Sequence, residues 1–383
     1  TWKENGQSFF TSFTPEYDTG GKGVHSGGLP IGIAPAAPAV YNDAKAGRGG
    51  GPKEEEPMKP LKVAILGAGN IAGKMAKTLG MMDTAEPYAV AARDLDRARA
   101  FAGQYGISKA YGCYGEMAAD PEVELVYVAT PHSHHYAHAR LCLEAGKPVL
   151  VEKAFTATEP QARELVELGR ARGLLVAEAI WPRYMPLAKT IRQVAEGGII
   201  GDVTCVTGSM GSPLTHVRRM WDPALAGGAL LDVGVYAVNY ALIALGSGYT
   251  GVTSSAVLLE SGVDAQNSIT LTYPGGRMAV LASTMTGLSN RGGTIQGDKG
   301  YAVVDNINNF EAVRVYDQKR NPLACYTRPV QLTGFEYQVD ACARAIRAGE
   351  VECPEMPHSE ILRVMELFDS LRRQWGVRYP WDA

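Results

Sequence analysis

Asp232 and Tyr236 lie four residues apart in the stretch GGALLDVGVY (residues 227–236), which is otherwise apolar and reads as a helix. On an α-helix this spacing places both side chains on one face. A carboxylate can orient a partner and a phenol can exchange a proton, so we expect the pair to face a ligand. Gly227 and Gly228 would let the start of the helix approach that ligand. Alternatively, both residues have purely structural roles: the helix dipole favours Asp232 near the start of the helix, and Tyr236 packs in the core.

A lysine that could serve the same site occurs in VLVEKAF (residues 149–155), where Glu152 and Lys153 follow a short apolar strand. A phenol titrates at about pH 10 in water, which is too high for an efficient base at neutrality. A nearby ammonium group would lower the pKa of Tyr236 by favouring the phenolate. We therefore expect Lys153 and Tyr236 to act as a couple whose geometry Asp232 fixes. The alternative is a lysine that snorkels to the surface.

A glycine-rich loop of the G-x-G-x-x-A type follows the strand-like segment LKVAIL and opens a helical segment. Its first glycine permits a tight turn, its second lets the backbone approach a pyrophosphate, and its alanine lets the helix pack close to the strand. The helix N-terminus would offer free N–H groups to the phosphates. This context predicts a dinucleotide site formed by Gly67, Gly69, Asn70, Ile71 and Ala72.

The second strand-like segment ends in AARDLD, so Arg93 and then Asp94 stand where the ribose of a bound dinucleotide is recognised. An acidic residue there would bind the ribose 2′-hydroxyl, whereas an arginine suits a 2′-phosphate. Asp94 also has a structural role open to it as the N-cap of the following helix. The pattern therefore favours NADP(H) over NAD(H), with a plain surface arginine as the alternative.

Four of the seven histidines fall in TPHSHHYAH (residues 130–138). His134 and His138 have a spacing that suits a metal, but no carboxylate or thiol lies at comparable spacing, so we expect no metal site. The segment begins at the carboxyl end of a strand, where ligands of parallel sheets bind. We expect His138 on the helix surface and a nicotinamide pocket lined by Thr130, Pro131, His132 and His135.

Strand-like and helical segments alternate up to residue 181, which predicts an α/β domain over residues 58–181 with a doubly wound parallel sheet. From residue 182, strand-like segments joined by short turns predict an α+β domain over residues 182–383 with a large, mainly antiparallel open sheet. Its last helix, over residues 359–375, could pack back on the first domain. The Gly- and Pro-rich residues 1–57 predict an extended arm or linker.

The 383-residue chain has 37 Lys and Arg against 40 Asp and Glu, a formal net charge of −3. Without a basic surplus, neither nucleic acid nor an anionic membrane is an expected partner. No apolar run comes close to the roughly 20 residues that span a bilayer. The six cysteines are scattered without a C-x-x-C pair, so we expect reduced thiols in a cytoplasm. Because the chain starts at Thr1, a periplasmic location stays open.

The motifs GAGNIA, ATPHSHH, VEKAF, EAIWPRYMP and GGALLDVGVY occur in this order along the chain. In them the sequence resembles the glucose–fructose oxidoreductase/inositol dehydrogenase/MocA (Gfo/Idh/MocA) family over roughly residues 60–383, especially its dimeric dihydrodiol dehydrogenase-like branch. The resemblance implies a Rossmann domain followed by an α+β domain, and hydride transfer between NAD(P) and a sugar, cyclitol or trans-dihydrodiol. It also implies a homodimer or homotetramer formed through the open sheet.

The resemblance also implies catalytic roles for Lys153, Asp232 and Tyr236. The Glu-Lys-Pro motif of the family corresponds to Glu152-Lys153-Ala154, so the proline is missing here. A cis bond before alanine costs about 3 kcal/mol, and we therefore do not expect the tight turn of the family motif.

The motif EAIWPR implies that Trp181 and Arg183 lie near the cofactor, and HVRRMWDPALAGG offers Arg219 for substrate hydroxyls or a carboxylate. Two other functions stay open at this point. The same fold could serve an NAD-dependent glycoside hydrolase that recycles its cofactor, or a regulator that senses dinucleotide without turnover.

Overall fold

The first half of the chain alternates strands with helices. The computed structural model describes residues 59–382. Its first strands are β1 Leu61–Leu66, β2 Ala85–Ala91, β3 Lys109–Tyr111, β4 Leu125–Val128, β5 Val149–Glu152 and β6 Val176–Ala179. The helices between them are α1 Asn70–Leu79, α2 Leu95–Tyr105, α3 Tyr114–Ala119, α4 His132–Glu144 and α5 Glu159–Arg172.

These six strands form one parallel sheet in the order β3-β2-β1-β4-β5-β6. The central strands β1, β4 and β5 are nearly all apolar because helices cover both faces of a doubly wound sheet. The predicted parallel sheet is therefore confirmed. The short strand β3 and helix α3 were not predicted, since three residues carry too little pattern to identify a strand.

The second half of the chain forms a larger sheet. Its strands are β7 Val203–Gly211, β8 Gly251–Leu258, β9 Asp264–Thr272, β10 Met278–Thr284, β11 Gly293–Gly297, β12 Gly300–Asp305, β13 Ala312–Asp317 and β14 Pro322–Thr327. They lie in the order β14-β13-β12-β11-β7-β10-β9-β8. All neighbours are antiparallel except β7 and β10, which are parallel. The predicted open, mainly antiparallel sheet is confirmed, although the sequence analysis identified only its strands up to β10.

The second half of the chain also carries α-helices. They are α6 Pro186–Glu196, α7 Arg218–Trp221, α8 Val235–Leu245, α9 Glu336–Ala348 and α10 His358–Trp375. The helix α10 meets the first half of the chain, because Asp369 accepts a hydrogen bond from the N–H of Glu159 at 2.8 Å. His358 also lies 3.0 Å from the carbonyl oxygen of Val176. The last helix therefore joins the two sheets.

One expectation about apolar runs was wrong. The segment Pro223–Leu245 is long and apolar enough to cross a membrane by length and composition, with a mean hydropathy of 1.6 over 18 residues. However, 94% of that window is buried inside the protein. The helix α8 is apolar all round because it lies between the large sheet and the other helices.

A buried carboxylate fixes the edge of the parallel sheet that carries β3 and α3. Asp120 accepts hydrogen bonds from the hydroxyls of Tyr111 at 2.7 Å and Tyr88 at 3.1 Å, and from the Lys109 ammonium at 2.9 Å. Burial opposes ionisation, but the hydrogen bonds from Tyr111 and Lys109 outweigh it and hold the pKa of Asp120 well below its usual range. Asp120 is therefore expected to stabilise the fold as an anion.

We predict that Asp120→Asn lowers the free energy of unfolding at pH 7 by about 1–2 kcal/mol, because a charge-assisted acceptor is lost. The folded-state pKa is depressed, so this stabilisation is present above about pH 4 and disappears as the pH falls towards the folded-state value. Urea melts of both proteins between pH 3 and 7 measure it. The control Asp96→Asn alters a carboxylate that is 91% exposed. Equal stability of wild type and Asp120→Asn at pH 7 would contradict the prediction.

Candidate active site

The loop between β1 and α1 has the shape that a pyrophosphate requires. Gly67 has φ +111°, and a Cβ there would lie 2.9 Å from the carbonyl oxygen of Ala129. A Cβ on Gly69 would have no neighbour within 4 Å, so the backbone faces open space. No side chain caps the start of α1 at Asn70, which leaves its first N–H groups available to an anion. These features fit a dinucleotide phosphate.

Next to this loop, Arg93 and Asp94 are both exposed at the end of β2. The carboxylate of Asp94 accepts a hydrogen bond from the N–H of Arg97 at 2.9 Å and so caps α2. Arg97 in turn donates to the carbonyl oxygen of Ala68, inside the glycine-rich loop, at 2.9 Å. Sequence reasoning missed Arg97. Its signal was the four-residue spacing from Arg93, which brings the two arginines close together once a helix starts between them.

Two histidines of α4 fasten the segment that carries Lys153. The ring nitrogens of His132 lie 3.1 Å from the carbonyl oxygen of Ala226 and 3.2 Å from that of Lys153. Those of His135 lie 2.9 Å from the carbonyl oxygen of Ala154 and 2.8 Å from that of Thr130. Burial lowers the pKa of His132 to about 3 and that of His135 to about 4. Both rings are thus neutral at pH 7, so each carries one N–H and donates to only one of its two carbonyl oxygens.

The next two histidines point elsewhere on the helix. His138 was expected on the surface, but it is half-buried and its Nδ1 lies 3.0 Å from the hydroxyl of Thr130, beside Pro131. The rings of His134 and His138 lie 5.6 Å apart. No group of three His, Cys, Asp or Glu residues that could hold a metal occurs within residues 59–382.

The centre of the site is an ion pair between the two halves of the chain. The Lys153 ammonium donates to the Asp232 carboxylate at 3.1 Å and to the Asp232 carbonyl oxygen at 2.7 Å. Arg219 donates to the same carboxylate at 2.7 Å. Burial opposes the charge, but Lys153 and Arg219 hold the pKa of Asp232 well below its usual range. Burial likewise lowers the pKa of Lys153, and Asp232 and Tyr236 more than offset this and raise it.

The helix that carries Asp232 and Tyr236 differs from the expectation. Residues Leu230–Gly234 form a π turn before α8 starts, so the pair does not follow plain α-helical spacing. Such wide turns are rare and are often found at functional sites. Here the widened turn leaves the carbonyl oxygen of Asp232 within reach of Lys153. Both predicted side chains therefore still meet the lysine.

The two glycines before this turn are required by the packing around them. A Cβ on Gly227 would lie 2.7 Å from the carbonyl oxygen of Met220. Gly228 has φ +123° and contacts the carboxylate of Asp264, which accepts a hydrogen bond from the N–H of Leu230 at 2.8 Å. The glycines thus let Asp264 cap the start of the helix that carries the site.

Tyr236 is buried with its ring facing Lys153 and its hydroxyl facing Trp181. The Lys153 ammonium lies 5.0 Å from the ring centroid, and the indole N–H of Trp181 donates to the hydroxyl at 3.3 Å. We expected Lys153 to lower the pKa of this phenol. Lys153 does act in that direction, but burial is the larger effect and raises the pKa of Tyr236 above its ordinary value. Tyr236 is therefore a protonated phenol at neutral pH.

Trp181 and Arg183 occupy different environments, although they lie on the same short 3₁₀ turn. Trp181 stacks on Phe335, with ring centroids 4.6 Å apart and planes 4° apart. Arg183 is buried and donates to Asn239 at 2.5 Å and to Glu360 at 2.8 Å, so it joins α8 to α10. The structure thus gives Arg183 a packing partner in each helix. Phe335 was missed because it is distant in sequence and follows no motif.

Glu152 and the peptide after Lys153 complete the floor of the site. The buried carboxyl of Glu152 accepts hydrogen bonds from the hydroxyl of Tyr127 and, at 3.2 Å, from the N–H of Lys153. Burial raises its pKa, with Lys153 opposing. The Lys153–Ala154 peptide bond is cis, although the residue after Lys153 is alanine and not proline.

Comparison with known proteins now decides the family. The model described as "Oxidoreductase family, NAD-binding Rossmann fold" matches residues 61–179, and the GFO/IDH/MocA C-terminal domain matches residues 188–303. The chain belongs to the GFO/IDH/MocA family. It is therefore an oxidoreductase with an NAD(P)-binding Rossmann fold, as the motifs indicated.

Individual relatives agree with this. Trans-1,2-dihydrobenzene-1,2-diol dehydrogenase of Bos taurus is 35% identical over 332 residues, covering 84% of this chain and 99% of the relative. The human enzyme of that name is 34% identical over 333 residues, with the same coverage. Because these relatives are named dehydrogenases, neither the hydrolase nor the regulator alternative is favoured.

Solved structures show the same architecture. A 3-ketoreductase from Actinomadura kijaniata, in complex with NADP and TDP-benzene, has a TM-score of 0.74 and 26% identity, covering 82% of this chain and 97% of that chain. An aldose–aldose oxidoreductase from Caulobacter crescentus, complexed with glycerol, has a TM-score of 0.75 at 22% identity, covering 83% and 98%. Because the second structure is only 22% identical, its likeness to this chain supports the fold alone.

Proposed function

We propose that this oxidoreductase interconverts a secondary alcohol and a ketone on a sugar, cyclitol or trans-dihydrodiol, with Tyr236 as the proton donor and acceptor. The observation that carries this proposal is the cluster of Lys153, Asp232 and Tyr236 beside the dinucleotide loop. Its relatives include trans-1,2-dihydrobenzene-1,2-diol dehydrogenases and a 3-ketoreductase, and these names support an interconversion of alcohol and ketone.

The proton chemistry follows from the charges of the cluster. A bound nicotinamide supplies or accepts the hydride. The hydroxyl of Tyr236 accepts a hydrogen bond from Trp181, so its own proton is free to point at a substrate oxygen. The Lys153 ammonium stabilises negative charge on that oxygen, while Asp232, which Arg219 also binds, holds Lys153 in place. A phenol that is protonated at neutral pH makes Tyr236 the acid in carbonyl reduction.

We predict that Tyr236→Phe lowers kcat at least 100-fold, since the proton donor is lost, and that the dissociation constant of the cofactor changes less than threefold. Lys153→Met should lower kcat to a similar extent. Steady absorbance change at 340 nm with a panel of aldoses, cyclitols and trans-diols measures turnover. The matched control is Tyr240→Phe, because the buried Tyr240 hydroxyl on the same helix has no hydrogen-bond partner among residues 59–382. Near-normal turnover of both site variants would refute these roles.

The cofactor that we propose is NADP(H). Arg93 and Arg97 lie at the end of β2 and on the first turn of α2, and neither forms an ion pair with a carboxylate of residues 59–382. Asp94, the acid that directly follows Arg93, is used as a helix cap, and Asp96 pairs with Arg99. Two unpaired guanidinium groups beside a ribose site suit a 2′-phosphate better than a 2′-hydroxyl.

We predict that Arg93→Ala weakens NADP⁺ binding about tenfold and changes NAD⁺ binding less than twofold, because only NADP⁺ carries the 2′-phosphate. Titrating both cofactors by calorimetry measures the two dissociation constants. Arg99→Ala is the matched control, since Arg99 is an exposed arginine of α2 that pairs with Asp96. If Arg93→Ala weakened both cofactors equally, the assignment of Arg93 to the 2′-phosphate would be wrong.

The domain division is also part of the proposal. We place a boundary near residue 181, between the family matches at residues 61–179 and 188–303. Residues 1–57, which we propose as an arm or linker, lie outside the described residues. The compartment that we propose is the cytoplasm, which agrees with six cysteines that are all free thiols.

The open face of the large sheet is proposed as the contact between two or four copies of this chain. Its outward-facing positions on β8, β9 and β10 are hydroxyl, amide or apolar side chains without a charge: Thr253, Ser255, Val257, Gln266, Ser268, Thr270, Met278, Val280, Ala282 and Thr284. Val257, Met278 and Val280 remain 55%, 38% and 43% exposed. Absence of charge is the compositional mark of an interface core.

We predict that Val280→Asp converts the assembled protein to monomers, because a charge would be buried without a partner at the centre of this contact. Sedimentation velocity measures the mass. Val330→Asp, at a fully exposed position outside the sheet, is the control and should leave the mass unchanged. A wild-type protein that sediments as a monomer, or an unchanged mass for Val280→Asp, would refute the contact.

A further inference from the structure

Arg219 reaches the buried ion pair of Lys153 and Asp232 from the surface of the protein. Its side chain is 41% exposed, yet its guanidinium donates to the Oδ1 atom of Asp232 at 2.7 Å and lies 3.5 Å from the Oδ2 atom. The Asp232 side chain itself is only 7% exposed. The Lys153 ammonium donates to the same Oδ1 atom at 3.1 Å. One carboxylate oxygen thus accepts hydrogen bonds from two cations, and the arginine makes the shorter contact.

The backbone at Arg219 is held against the two glycines that precede Asp232. The N–H of Gly228 donates to the carbonyl oxygen of Met220 at 2.8 Å. A Cβ on Gly227 would lie 3.0 Å from the carbonyl oxygen of Arg219, so glycine allows this close approach. The Met220 side chain is fully buried, and its sulfur lies 3.3 Å from the Arg219 guanidinium. Arg219 is therefore anchored beside the ion pair through its backbone as well as its side chain.

The three contacting ions carry one positive charge in excess. Lys153 and Arg219 are cations that share a single carboxylate, and both hold the pKa of Asp232 well below its usual range. Without Arg219, the charges of Lys153 and Asp232 would largely cancel because they lie so close together. With Arg219, a net positive charge remains next to Tyr236, whose ring centroid lies 5.0 Å from the Lys153 ammonium.

We propose that Arg219 is a positioning residue that, by sharing Asp232 with Lys153, gives the cluster the positive charge that stabilises the substrate oxyanion during hydride transfer. The inference rests on the proposed function. The sequence offered Arg219 only as a contact for substrate, whereas in this role it acts through Asp232. A guanidinium suits the task, because its fork can hold a carboxylate with two N–H groups while the ammonium keeps its own contact. Loss of Arg219 should therefore lower kcat more than it raises KM.

Three substitutions separate the charge of Arg219 from its packing. Arg219→Lys keeps the cation, Arg219→Gln keeps an N–H donor for Asp232 without the charge, and Arg219→Met keeps only the apolar stem. We expect kcat within about threefold of wild type for Arg219→Lys and about tenfold lower for the other two, because a charge that stabilises the transition state is lost. KM and the dissociation constant of the cofactor should change less than about threefold. Absorbance at 340 nm and titration with the cofactor measure these quantities.

Chemical rescue gives a second readout that a loss of packing would not produce. Because Arg219 is partly exposed, Arg219→Ala leaves an opening beside Asp232 that a guanidinium ion from solvent can enter. Guanidinium at concentrations that do not unfold the protein should restore part of the lost kcat by binding the carboxylate. Urea has nearly the same shape without the charge and should restore nothing. Rescue by urea, or rescue by neither compound, would contradict the role proposed for the charge.

Arg218→Met is the matched control, because Arg218 is the adjacent arginine on α7, is 75% exposed and pairs with Asp222 instead. Its kcat should match that of wild type. A rise in KM at unchanged kcat for Arg219→Met, or wild-type kcat for Arg219→Gln, would overturn the role of Arg219 while leaving the proposed function intact. Near-normal turnover of Tyr236→Phe and Lys153→Met in the same assay would instead overturn the proposed function itself. The two failures are therefore distinguishable.

Discussion

The buried pair of Lys153 and Asp232 is the interaction on which the rest of the site depends. Both side chains are nearly inaccessible, at 11% and 7% exposure, so each charge loses most of its hydration. Such a pair is favourable only when further hydrogen bonds compensate the desolvation. Arg219 supplies one and the carbonyl oxygen of Asp232 supplies another. Three other features hold these donors and acceptors in position. They are the π turn, the cap from Asp264 and the two histidines that contact the backbone around Lys153.

This commitment of Lys153 also decides how Tyr236 behaves. Burial raises the pKa of Tyr236, and the attraction of Lys153 for a phenolate, which the nearby Glu152 and Asp232 oppose, does not outweigh it. In the mechanism that we propose, oxidation then needs the phenol to lose its proton only as the substrate oxygen arrives. An acid with a free proton and a neighbouring cation is instead ready for reduction, where negative charge develops on that oxygen.

Local sequence patterns predicted the parallel sheet, the dinucleotide loop and the three side chains of the cluster. Strand–helix alternation and the motifs can each be recognised within short segments. Contacts between segments that are distant in sequence could not be predicted from these local patterns. Nothing near Trp181 indicates that it stacks on Phe335, and nothing near Arg97 indicates that it reaches Ala68. The π turn was not predicted, because the glycine and β-branched residues around Asp232 are equally compatible with an α-helix. The strands after β10 were missed because their short alternating segments lack motifs.

The histidine motif shows how one helix can serve two parts of a site. His132 and His135, three residues apart on α4, point inward, and their ring nitrogens contact backbone carbonyl oxygens around Lys153. Residues four apart, His134 and His138, lie on another side of the helix, where the His138 ring also contacts the Tyr114 ring. Helical geometry thus separates the two pairs, and Thr130 links them, because its hydroxyl lies 3.0 Å from a ring nitrogen of His138 and its carbonyl oxygen lies 2.8 Å from one of His135.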